Sequence, residues 1–150
     1  MRGMLETIFI ILTALFIILF IRTVQLEQTN NQQLFIKGKV PQNFPDGFYK
    51  GKISMRTTWM GKKFDAKNSS GINIINQKKQ YPFKLYKGRG LRDKNLEVIK
   101  LDYNLSLNPW LLRMVVDEIV EVKKDHYLGK AHLNILPGFP FTVGFFELEK

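Results

Sequence analysis

The chain has 150 residues, a formal net charge of +10, 45% hydrophobic residues and no cysteine. That is room for one compact domain plus an anchor, and too little for two independent cores. Without cysteine there is no disulfide, thiolate metal site, cysteine nucleophile or lipoprotein acylation site, and such a domain suits either side of a membrane.

The charge is unevenly spread. Residues 50–100 hold 14 Lys and Arg against three acids, Asp65, Asp93 and Glu97, an excess of +11, whereas residues 101–150 hold five basic and seven acidic residues. A basic half beside an acidic half makes an oriented surface, suited to anionic lipid headgroups or an anionic ligand, or serves solubility alone.

From Ile8 to Ile21 the sequence runs 14 residues without a charge, and Met4 and Leu5 extend the apolar segment toward 18 positions interrupted by Glu6 alone. A bilayer core takes roughly 17–25 helical residues, which predicts a transmembrane anchor over 1–24 with Glu6 and Arg22 at its interfaces. A secretory signal would need a small-x-small cleavage site, and RTVQLEQTNNQQ after Ile21 contains none. No polar stripe interrupts Ile8–Ile21, which argues against a buried amphipathic core helix. Orientation stays open, because Arg2 pulls the N-terminus toward the cytoplasm while Arg22, Lys37 and Lys39 pull the other flank the same way.

Residues 25–41 begin with QLEQTNNQQ, polar and poor in apolar side chains, and are expected to form a solvated linker. Beyond it, 42–150 reads mostly as strands punctuated by Gly, Pro, Asn and Asp. Pro45–Gly47 opens a segment in which Tyr49, Gly51, Ile53 and Met55 alternate with Phe48, Lys50, Lys52 and Ser54. Further strands are expected over Pro82–Tyr86, Leu96–Leu105, Tyr127–Ile135 and Phe141–Leu148. Trp110–Val122 has helical spacing behind Asn108 and Pro109, but Val115, Val116, Ile119, Val120 and Val122 are β-branched and Lys123–His126 fits a hairpin loop, so it is read as a strand. Sequential strands with short turns predict a mainly β fold, a small antiparallel meander barrel behind one N-terminal transmembrane helix.

No catalytic constellation is visible. His126 and His132 lie six residues apart, on one face of a strand but about 20 Å from each other, and are expected to be solvated or in a hairpin. Asp117 and Glu118 are adjacent, so on a strand they face opposite sides and cannot act as an acid and base pair. No phosphate-cradling glycine motif or nucleophile elbow occurs, and no cofactor is implied. Basic residues interleaved with aromatics, as in KKFDAK and YPFKLYKGRG, fit single-stranded nucleic acid by stacking and phosphate contact, but an anchored domain meets anionic lipid first, and nucleic acid is the weaker expectation.

GFYKG at Gly47–Gly51, WMGKKF at Trp59–Phe64, DEIVEVKKDHYLGK at Asp117–Lys130 and the final FFELEK occur in an order similar to lipocalin-like GXWXG-type domains and the domain of unknown function that accompanies them. Tyr49 stands where that family has Trp. The resemblance implies a small antiparallel barrel with hydrophobic-ligand binding by fold analogy. The residues themselves give candidates for such a site: Tyr49 to cover a barrel end, Trp59 with Lys62 or Lys63 to close a mouth, Phe64, and the strand tyrosines Tyr103 and Tyr127. Two functions stay open. One is a non-enzymatic, membrane-anchored module binding a hydrophobic or amphipathic anion such as a lipid or fatty acid. The other is a basic interaction or assembly module with a filled core, docking to a protein partner or an anionic lipid surface.

Overall fold

A computed structural model describes the backbone of residues 1–150 and the side chains of all but Arg2. The apolar N-terminal segment is a helix, α1 (Arg2–Glu27). At 1.5 Å per residue its 26 residues reach about 39 Å, more than the ~30 Å of a bilayer core. It is long and apolar enough to cross a membrane. Two hydroxyls in its apolar stretch are satisfied within the helix: Thr7 and Thr13 donate to the carbonyls of Gly3 and Phe9, each at 2.8 Å. From Phe16 onward one side of α1 rests on protein, Phe16 stacking with Phe139 at 5.8 Å between centroids and meeting Phe141 edge-on at 5.4 Å.

The segment expected to be a solvated linker is instead partly a second helix, α2 (Asn30–Lys37), lying on the barrel's outer wall. Thr29 caps it by accepting the Gln32 N–H at 3.4 Å. Phe35 is fully buried with Val98, Val120 and Leu128, and Gln32 is buried beside it. Eight mostly polar residues carry too little apolar periodicity to announce a helix; docking of the one aromatic supplies the stability.

The remainder is a closed antiparallel barrel of eight strands in sequence order: β1 (Gly47–Lys52), β2 (Trp59–Asp65), β3 (Ser70–Ile75), β4 (Lys78–Arg89), β5 (Glu97–Asp102), β6 (Val115–Lys123), β7 (His126–Leu136) and β8 (Phe139–Glu149). The meander barrel behind one apolar helix is as the patterning predicts. Trp110–Val122 divides, with a 3-10 turn at Leu112–Met114 preceding β6, and Lys124 and Asp125 form the hairpin turn into β7. β2 and β3 escaped the sequence reading for a physical reason. Their inward positions include Lys62 on β2 and Gly71 and Asn73 on β3, which carry no apolar signal, and the bulge at Trp59/Gly61 breaks the alternation of β2.

In such a meander, alternate connections lie at the same end. The β1–β2, β3–β4, β5–β6 and β7–β8 connections share one end, and the other three share the opposite end. Because Thr23 meets Thr142 on β8 while Phe16 meets Phe139 at its start, the N-terminus of α1 points toward the first of these ends, and its N-terminal half projects about 18 Å past it.

Candidate functional site

Strand pleat aims alternate side chains inward, and on β2 these are Lys62 and Phe64, with Lys63 exposed on the outer wall. Simple alternation would send Met60 inward. The bulge at Gly61, whose φ is +140°, reverses this: Met60 is exposed and Trp59 turns in, its ring lying over Gly51, where a Cβ would stand 2.4 Å from the indole. Asn73 from β3, Phe83 from β4, Tyr103 just past β5, Asp117 from β6 and Phe146 from β8 converge on the same interior layer.

Lys62 is the centre of that layer. Its Nζ donates to Tyr103 Oη at 2.5 Å, Asn73 Oδ1 at 2.9 Å and Asp117 Oδ2 at 3.0 Å. The rings of Phe146, Phe83, Tyr103 and Trp59 surround it at 5.0–5.5 Å from ring centroid to ammonium. Every partner is itself satisfied. Tyr103 donates to Asp117 at 3.1 Å and accepts from Asn73 Nδ2 at 3.0 Å, while Trp59 Nε1 donates to Asn73 Oδ1 at 3.0 Å. Asn73 Nδ2 also donates to the Tyr81 carbonyl at 3.1 Å. Burial pushes the Lys62 ammonium below its ordinary value, and Asp117 opposes that shift. Chemically the arrangement is an aromatic cage whose cation is supplied by the chain itself, with all three ammonium protons committed to protein acceptors.

The seven candidate residues therefore divide. Trp59, Lys62 and Tyr103 share the cage; Tyr49, Phe64 and Tyr127 form a second group further along the interior, Tyr49 meeting Phe64 and Tyr127 edge-on at 5.5 Å each. Tyr49 Oη donates to Asp125 Oδ1 at 3.3 Å in the β6–β7 turn, which places this group at the end away from the free half of α1. Phe83 joins the two, 5.7 Å from Phe64 and 5.4 Å from Tyr103, so one aromatic column runs through the interior. Lys63 is not at a mouth with Trp59: its side chain stands on the opposite face of the same strand. Asn73, Asp117, Phe83 and Phe146 were missed. Asp117 had a signal, since it shares strand parity with Val115 and Ile119.

The interior tyrosines predict an alkaline limit to stability. Burial first, then Asp125, pushes the Tyr49 hydroxyl up to about 12. Burial and then Asp117 raise Tyr103 well above the ordinary tyrosine value, and burial followed by Glu121 raises Tyr127. Above about pH 10 the unfolded chain releases these protons while the folded chain holds them, so stability falls as pH rises. Lys62 acts in the opposite sense between its lowered value and 10.5, where the unfolded chain binds the extra proton. Three tyrosines outweigh one lysine. The urea midpoint of the detergent-solubilised chain should fall from about pH 10 upward, each unmatched proton contributing about 1.4 kcal/mol per pH unit. Tyr103→Phe should flatten the slope, and an unchanged slope would remove Tyr103 from this account.

A second polar cluster lies outside the barrel wall, under the helices. His132, expected in solvent, is fully buried there: its Nε2 lies 3.0 Å from Glu118 Oε2, and Glu118 Oε1 accepts the Leu91 N–H at 2.7 Å. Asp117 and Glu118 face opposite sides of β6 as their adjacency requires. Lys130 Nζ donates to Asp93 Oδ2 at 2.8 Å, Gln32 Nε2 donates to Asp93 Oδ1 at 2.7 Å, and Arg92 pairs with Glu27 at the end of α1. Arg92 also donates to the Pro140 carbonyl at 3.0 Å, and the Thr142 N–H donates to Thr23 Oγ1 at 3.0 Å. These bonds clamp α1 and α2 to the β4–β5 loop and to β8. The chemistry is that of a joint, which holds the apolar helix at a fixed angle to the barrel.

The two barrel ends differ in kind. The end past which the N-terminal half of α1 projects exposes Met55 (71%), Leu107 (84%), Trp110 (70%), Leu111 (57%), Leu136 (45%) and Phe139 (38%). Arg56, Lys78, Lys79 and Arg113 are exposed there too. The four connections at this end contain no acidic residue. At the opposite end the connections are AKNS, GLRDKNL and the Lys124–Asp125 turn, and none of the exposed large apolar residues lies in them. No protein-family model, curated protein or solved structure matches this chain.

Proposed function

We propose that this protein is a membrane-tethered interaction module: α1 crosses a bilayer, and the barrel sits on the anionic face of that bilayer through its apolar, basic end. The observation that carries this reading is the asymmetry of the ends together with the course of α1. Phe16 lies well inside the uncharged run Ile8–Ile21, and it touches Phe139 at the β7–β8 turn. With α1 in a membrane, the Leu136–Phe139 turn dips into the interface beside it. Trp110 and the apolar side chains of the neighbouring connections then reach headgroup depth, where tryptophan is favoured, and Arg56, Lys78, Lys79 and Arg113 meet lipid phosphates. The column from Tyr127 to Trp59, closed around Lys62, favours a filled core over an interior carrier.

The test uses Trp59 and Trp110, the chain's two tryptophans. Full-length protein is reconstituted into phosphatidylglycerol-containing vesicles whose acyl chains carry bromine near the headgroup. Trp110 should be quenched and the Trp110→Phe protein should lose most of that quenching, because Trp59 is enclosed. Emission indifferent to bromine but quenched by aqueous iodide would place Trp110 in water and overturn the seating.

A further inference from the structure

The barrel closes by a short seam. β1 meets β8 through three residue pairs, Lys50 with Glu149, Gly51 with Leu148 and Lys52 with Glu147. Residues 139–146 of β8 have no partner on β1. α1 lies along part of this unpaired edge, where Thr23 takes the Thr142 N–H. Between the helix and the end of β1 remains a half-open groove of about 450 Å³, lined among others by Arg22, Leu26, Lys52, Met55, Val143 and Phe145. That volume lies within the ~300–1,000 Å³ typical of small-molecule sites.

Its lining has two chemistries in one place. Leu26, Met55, Val143 and Phe145 give apolar walls, and Arg22 and Lys52 give two exposed cations without an ion-pair partner among the described residues. The acid at the rim, Glu147, is engaged by His126 at 3.1 Å. Arg22 follows directly on Ile21, where the uncharged run ends, so with α1 across a bilayer the groove opens at the level of the lipid phosphates.

We infer that this groove binds one anionic phospholipid from the surrounding leaflet, its phosphate between Arg22 and Lys52 and its glycerol region against Leu26, Met55 and Val143, with the acyl chains remaining in the bilayer beside α1. The inference rests on α1 crossing the membrane and adds a stoichiometric lipid site to the seating described above. A guanidinium and an ammonium on separate elements suit a phosphate diester, the first by paired donors and the second as a point charge. The apolar walls select a lipid over a free anion.

Full-length protein in mixed phosphatidylcholine and phosphatidylglycerol nanodiscs is released for native mass spectrometry. One phosphatidylglycerol should remain bound in preference to phosphatidylcholine. The Arg22→Ala/Lys52→Ala protein should lose that preference by about tenfold or more, at roughly 1 kcal/mol per basic residue near the surface. Lys78→Ala/Lys79→Ala, on the seating end but outside the groove, should retain the adduct. Absence of an adduct, its persistence in the Arg22/Lys52 variant, or its displacement by inorganic phosphate would each overturn the lipid site. Trp110 quenching in the same nanodiscs is independent of the groove: quenching kept while the adduct is absent sinks the lipid site alone, whereas quenching lost sinks the seating.

Discussion

Asp117→Ala should destabilise the folded chain by about 3–5 kcal/mol, the usual cost of leaving one member of a buried ion pair alone. Asp117 is the anion of the interior, 3.0 Å from Lys62 Nζ, and Lys62 is 3% exposed. Removing the carboxylate leaves an ammonium held by Asn73 and Tyr103 and by aromatic faces, which attract a cation but do not neutralise it. The pair is not an irreplaceable source of stability. Changing both partners to apolar residues of similar volume, Lys62→Met with Asp117→Leu, should restore most of the loss, because desolvation of two charges is then avoided. Urea unfolding of the full chain in mild detergent, followed by near-ultraviolet dichroism, measures both. A loss below about 1 kcal/mol for Asp117→Ala would show that the charge is screened by water and that the interior is not closed.

Gly61→Ala should be nearly as damaging, at roughly 3 kcal/mol or more, through backbone strain and overpacking together. A Cβ at this position would stand 2.0 Å from the Tyr49 carbonyl oxygen and 2.7 Å from the Gly51 amide nitrogen, both main-chain atoms that cannot swing away. The φ of +140° is also one that a side chain opposes. Relief requires the bulge to rearrange, and the bulge is what turns Trp59 inward. The variant should therefore show a red-shifted Trp59 emission in a Trp110→Phe background as well as lower stability. Gly138→Ala is the control: its φ is +78° but nothing lies within 4 Å of the added carbon, so it should cost only about 1 kcal/mol. Equal losses at the two positions would mean that torsion alone matters and that the close approach of β1 to β2 does not.

The sequence by itself determined those features that repeat along the chain. Fourteen uncharged residues from Ile8 to Ile21 require a helix that tolerates an apolar medium. Alternation at Ile99, Leu101 and Tyr103, and β-branched residues through Val122 ending at Lys123–His126, fix strands and a hairpin by local preference. Hence the meander barrel was legible, as was the opposed facing of Asp117 and Glu118.

Tertiary structure alone decided the features that depend on residues meeting from distant strands. Lys62 and Lys63 are indistinguishable as neighbours in sequence, yet one is enclosed by four rings and the other is in solvent, because the register with β1 sets Lys62 beside the buried Tyr49 and Lys63 beside the exposed Phe48. His132 is buried because α1 and the β4–β5 loop fold over it and Glu118 supplies its partner. The polar segment after α1 becomes helical because Phe35 finds a pocket on the outer wall. The seam groove exists because β1 is too short to cover β8 up to Phe139. Each is a long-range contact whose free energy comes from burial and pairing across the fold, and local periodicity carries no record of it.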